Sequence, residues 1–178
     1  MVTLYGQVRT LNANMRALEG GLKYAFKASL DPSIADSRTK CFGRFTTNVP
    51  IPYSIISINE NSGYNPSLGI YTALQSGVYA FSYSVYSRSE SILIHKVVLM
   101  KNNEAMVIVK ENNRDDKQDS GSQTLTLHLQ KGDQVYVMLV SGRELCGELQ
   151  YNVFTGYMLY PDIDYAYSAE DLRFLSHY

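Results

Sequence analysis

Three histidines, His95, His128 and His177, are the side chains best suited to moving protons near neutrality, yet none lies in a motif that would use one. The chain has no G-x-S-x-G nucleophile elbow, no H-E-x-x-H zinc pair and no G-x-x-x-x-G-K-[ST] phosphate loop. His128 alternates with leucines in a strand-like run, which turns it towards solvent or a sheet neighbour. The expectation is a protein without catalytic or cofactor-binding residues.

One stretch could hold a metal. Residues 111–119 read Glu-Asn-Asn-Arg-Asp-Asp-Lys-Gln-Asp, and calcium takes six to eight oxygens from such carboxylates and carbonyls. Asp115, Asp116 and Asp119 are the candidate ligands, although Arg114 and Lys117 dilute the charge. The alternative is a solvated loop.

Cys41 and Cys146 allow one disulfide or none, and both readings stay open. Their separation excludes a zinc ribbon or a C-x-x-C redox pair. A bridge closing so long a loop stabilises by about 4–5 kcal/mol in the chain-entropy model.

At 178 residues the chain suits one well-formed core. Formal net charge is −1, and the cations do not gather into a stripe, so nucleic acid is not an expected partner. No apolar run reaches the roughly 18–20 residues of a membrane span. The N-terminus does not read as a signal peptide: either a leader has been removed and Met1 added, or the chain is cytosolic. Fifteen Tyr and six Phe with no Trp suit half-buried sheets and wet aromatic contact surfaces.

The elements that would carry these residues are of two kinds. Leu4, Val8, Leu11, Met15, Leu18 and Leu22 are spaced 4, 3, 4, 3, 4, which is a heptad seam with polar flanks. Residues 1–21 are therefore expected to form a coiled-coil segment ended by Gly20–Gly21. The alternative is an amphipathic helix docked on its own domain. From Lys23 to Pro161 short apolar or alternating runs are divided by turns such as Asp31-Pro32-Ser33, Gln75-Ser76-Gly77 and Lys131-Gly132-Asp133. Ten strands are readable: 24–30, 41–46, 53–58, 68–73, 78–87, 92–101, 105–110, 123–130, 134–140 and 151–160. So many strands with no long helix among them mean a jelly-roll β-sandwich over 22–161. Residues 162–178 form a tail in which Ser168, followed by two acids, could cap a short helix.

Gly77-Val78-Tyr79-Ala80-Phe81-Ser82-Tyr83 resembles the G-x-Y-x-F-x-[FY] core of the C1q globular-domain family. At that family's spacing, Asn59 and Tyr64 match directly, while Tyr53 and Tyr71 stand where Phe is usual. Ala25–Leu30, Tyr64–Ala73, Lys131–Tyr136 and Phe154–Pro161, with Phe154 and Gly156, resemble further family segments in the correct order. The resemblance covers about residues 23–161 and implies an all-β, ten-stranded jelly roll of the C1q and tumour-necrosis-factor superfamily, packed as a homotrimer. It also implies secretion, no enzymatic activity, no required cofactor and, in some relatives, calcium. No Gly-X-Y stalk is present, so the heptad segment would take over trimerisation. The expected ligands are carbohydrates or microbial-surface patterns, in the manner of a lectin-like protein of innate immunity. The alternative is an extracellular-matrix assembly unit or a cytokine-like receptor ligand.

Overall fold

The computed structural model describes residues 2–21, 23–88, 94–110 and 117–162. Helix α1 (Val2–Gly21) leads into thirteen strands among the described residues. They are β1 (Ala25–Ser29), β2 (Cys41–Gly43), β3 (Val49–Pro50), β4 (Ile55–Asn59), β5 (Tyr64–Asn65), β6 (Ile70–Thr72) and β7 (Gly77–Arg88). The remainder are β8 (Lys96–Lys101), β9 (Glu104–Lys110), β10 (Gln118–Leu129), β11 (Gln134–Leu139), β12 (Glu144–Cys146) and β13 (Val153–Pro161).

The strands make two large antiparallel sheets. One runs β10-β7-β13-β1-β4; the other runs β5-β6-β11-β8-β9, with β3 also paired to β11. β2 and β12 form a separate ribbon. After β7 the chain enters the second sheet through β8 and β9, returns in β10, crosses again to β11 and closes with β13. The result is a jelly roll, open rather than a closed barrel, with one N-terminal helix.

All ten strands expected from the pattern are present, and β3, β5 and β12 are additional. Each of these is two or three residues long, too short to display a period of two. β10 also begins at Gln118, five residues before its leucine-rich part, despite Asp119, Ser120 and Gly121. Their weak strand propensity is overridden by continuous pairing with β7, from Gln118 opposite Arg88 to Leu129 opposite Gly77.

Alternation fixes the core. Tyr79, Phe81, Tyr83 and Val85 of β7 point inward between the sheets, while Val78, Ser82, Ser84 and Tyr86 face out. The Phe26 ring stacks parallel on Tyr64 with centroids 4.6 Å apart and meets Phe154 nearly edge-on at 4.8 Å. Gly156, opposite both Phe26 and Phe81, has no room for a side chain: a Cβ there would lie 2.5 Å from the Phe26 ring and 2.6 Å from the Phe81 ring. Gly77 is equally confined, since its Cβ would meet the Tyr160 carbonyl oxygen at 2.5 Å. Tyr83 crosses the sandwich and donates its hydroxyl to the Val97 and Val107 carbonyls at 3.4 and 3.3 Å.

Candidate functional site

The residues singled out as a family signature form the interior. Tyr53, Tyr64, Tyr71, Tyr79, Phe81, Tyr83 and Phe154 are all buried in one cluster. Asn59 locks the turn before β5, its Nδ2 donating to the Tyr64 carbonyl at 2.8 Å and its Oδ1 accepting from the Tyr64 amide at 3.2 Å. Burial raises the Tyr79 and Tyr83 hydroxyls to about 12, which keeps them neutral, and raises those of Tyr53, Tyr64 and Tyr71 further. These residues build the core of the head.

The two described histidines, His95 and His128, have separate partners. His95 is fully buried, with Nε2 3.5 Å from Asp119 Oδ2. His128 is exposed, and its Nε2 lies 2.9 and 3.0 Å from the two Asp162 carboxylate oxygens. His177 lies outside the described residues. Of the calcium candidates, Asp115 and Asp116 also lie outside them. Asp119 is the second residue of β10, opposite Ser87.

Cys41 and Cys146 are directly opposite in the β2–β12 ribbon and are joined as a disulfide, leaving no free cysteine. Beside Glu144 they make a group with metal-ligand composition, but both sulfurs are committed to each other. The ribbon floors a cleft of about 830 Å³. Its walls are ion-paired: Arg44 donates to Glu144 through Nε at 2.9 Å and Nη2 at 2.8 Å, and Arg88 lies 3.7 Å from Glu148. The Arg44 guanidinium is held above its ordinary range by the hydrogen bond to Glu144 and by that group's charge. Sequence spacing gave no hint of this pair, whose members are 100 residues apart.

Among the described residues, two apolar surfaces are uncovered. Leu4, Val8, Leu11 and Met15 of the heptad seam are exposed on α1. For Leu18 the helical backbone alone is described, and Leu22 lies outside the described residues. The helix turns a different face to the head: Thr10, Ala13 and Asn14 line a cleft against it. At about 100° per residue, that face lies about one third of the way round from the seam. Leu4, Val8, Leu11 and Met15 are thus not what attaches α1 to its own domain.

The second surface is the outer side of the β10-β7-β13-β1-β4 sheet. Tyr157, 51% exposed, stands between Ala25 of β1 and Ala80 of β7, and Thr155 stands between Lys27 and Ser82. Leu159, Tyr160, Ile55 and Ile58 extend the exposed apolar area on β13 and β4. Small residues beside large exposed rings make a surface another polypeptide can approach closely. The sequence showed the small–large alternation of β7 but could not say that β13 lies beside it.

A C1q domain model matches residues 25–159. Among curated proteins, Caprin-2 of Danio rerio is 28% identical over 141 residues, 79% of this chain. The chain spans only 14% of that relative's length. Among solved structures, the globular domain of zebrafish complement 1qA protein is similar at a TM-score of 0.60 and 19% identity, covering 79% of this chain and all of that one. Eiger TNF from S. frugiperda gives 0.59 and 16%, over 82% of this chain and 98% of the other. Murine APRIL gives 0.53 and 10%, over 76% and 98%.

Proposed function

Because this chain belongs to the C1q domain family, we propose that it is a secreted, homotrimeric, non-enzymatic recognition module whose ligands are carbohydrates or microbial-surface patterns. Domains of this family and of its tumour-necrosis-factor-like neighbours form trimers, bind protein ligands or receptors, are typically secreted and are generally non-enzymatic. The observation that carries the proposal is the exposed stripe of Leu4, Val8, Leu11 and Met15 on a helix that meets its own head through another face. A seam this narrow is best covered by copies of itself, and a helix of this length is marginal alone in water. The outer-sheet patch around Tyr157 gives the heads a second self-complementary contact. The Cys41–Cys146 bridge suits an oxidising, extracellular setting.

Recognition itself falls to exposed side chains. The exposed Tyr151 offers a ring on which a sugar face can stack, and three equal sites on a trimer convert weak contacts into useful avidity. Calcium belongs to the same proposal through Asp115, Asp116 and Asp119, the last with its Oδ2 3.5 Å from His95 Nε2.

Light scattering tests the assembly: the full chain should have three times the 20.1 kDa chain mass. Glycan-array and bacterial-surface binding test the ligand class. Absence of both, together with saturable binding to one membrane protein, would replace this reading with that of a cytokine-like ligand.

A further inference from the structure

The cleft between α1 and the head has a volume of about 660 Å³, within the roughly 300–1,000 Å³ typical of small-molecule sites. Its helical wall carries Asn14, which is half-buried while the other described α1 side chains are exposed. Its head wall carries Gln75, Ser76, Gln130, Lys131 and Asp162, with the Tyr24 ring beside them. Three carboxamides thus surround one opening, and each can donate and accept.

Their orientation is partly set. The Ser76 hydroxyl accepts from the Lys131 amide at 2.9 Å and donates to Gln130 Oε1 at 3.3 Å. With its oxygen engaged, Gln130 has its NH2 group to offer as a donor. Asp162 is held by His128 on one side and by its own backbone amide, which donates to the Ser76 carbonyl at 2.9 Å. Lys131 and Asp162 offset each other, so the cleft has no net attraction for a phosphate or a cation. Polar and apolar groups share its lining about equally, with Leu74 and Ala13 beside the carboxamides, which suits a ligand that has both kinds of face.

A ligand matching this opening is neutral, carries several adjacent groups that both donate and accept, and has one apolar face for Tyr24. We propose that the α1–head cleft is the carbohydrate site of this protein and takes a neutral pyranose, with Asn14, Gln75, Gln130 and Asp162 addressing ring hydroxyls and Tyr24 supporting the C–H face. The assignment rests on the carbohydrate reading above and gives it residues. It also makes α1 part of the binding site as well as part of the assembly.

The test uses the full chain on an array of neutral glycans ending in mannose, galactose or N-acetylglucosamine. Asn14→Ala and Gln75→Ala are compared with the parent at equal trimer mass and melting temperature; the two lie on opposite walls, so either one alone decides if the other perturbs assembly. Expected is a tenfold or greater loss of glycan binding in each. Parent-like binding by a well-assembled variant overturns the cleft while leaving carbohydrate recognition in place. Absence of glycan binding by the parent chain overturns both.

Discussion

Tyr64 donates its hydroxyl to the Tyr53 main-chain carbonyl at 3.0 Å, whereas the hydroxyl of Tyr53, buried in the same cluster, has no hydrogen-bond partner among the described residues. Two tyrosines of one motif therefore have opposite energetic signs. Removing an unsatisfied buried hydroxyl recovers its desolvation penalty of about 1–3 kcal/mol, so Tyr53→Phe should raise thermal stability. Tyr64→Phe should lower it by about 1 kcal/mol or more, because a buried carbonyl loses its donor. Denaturant melts of the two variants check the pair; equal effects would contradict the assignment.

Stability should fall at both ends of the pH scale for identifiable reasons. Asp133 is partly desolvated, which favours its neutral form. The Gln130 amide at 3.0 Å, the Asn102 amide at 3.1 Å and the Lys101 ammonium at 3.2 Å more than compensate, leaving its carboxyl below the ordinary range. Asp36 is lowered by hydrogen bonds from the Thr39 and Arg38 amides and the Thr39 hydroxyl. A lowered folded pKa means stability that is complete above about pH 4 and lost as pH falls through the folded value. Asp133→Asn should flatten that acid limb in a melting-temperature profile.

At the alkaline end the sign reverses. Burial raises Tyr79 and Tyr83 to about 12, so their contribution is complete below about pH 10 and lost as pH climbs towards 12. Ultraviolet titration should show these phenols ionising together with unfolding rather than before it.

The disulfide spans 105 residues of sequence. A loop of that length corresponds to about 4–5 kcal/mol of unfolded-state entropy. Reduction, or the double change Cys41→Ser with Cys146→Ser, should lower the melting temperature substantially. It should also loosen the Arg44–Glu144 pair that the ribbon positions.

The seam is exposed in a single chain, so a charge placed on it should act on assembly alone. Leu11→Asp is expected to reduce the solution mass towards that of one chain, or weaken the trimer on dilution, while far-ultraviolet circular dichroism of the head is unchanged. Loss of the β signal would mean that α1 is integral to the fold.

Calcium should raise the melting temperature of the parent chain, and Asp119→Asn should diminish the shift. A melting curve indifferent to calcium removes Asp115, Asp116 and Asp119 as ligands.

How far the sequence reaches can be judged from particular residues. The alternation of Tyr79, Phe81 and Tyr83 with small residues determined which face of β7 is buried, because a strand reverses its side chains every residue. The heptad spacing of Leu4 to Met15 determined a helical stripe in the same way. Both are local periodicities, and they made the all-β head and the N-terminal helix legible. Tertiary structure alone decided that Cys41 faces Cys146, that Arg44 reaches Glu144, that Tyr157 stands between Ala25 and Ala80, and that Asn14 meets the head beside Gln75. Each of these joins residues far apart in the chain, and no local period records which strands become neighbours. That is set by how the two sheets bury their apolar faces together, so the core could be read in advance and the make-up of the outer surfaces could not.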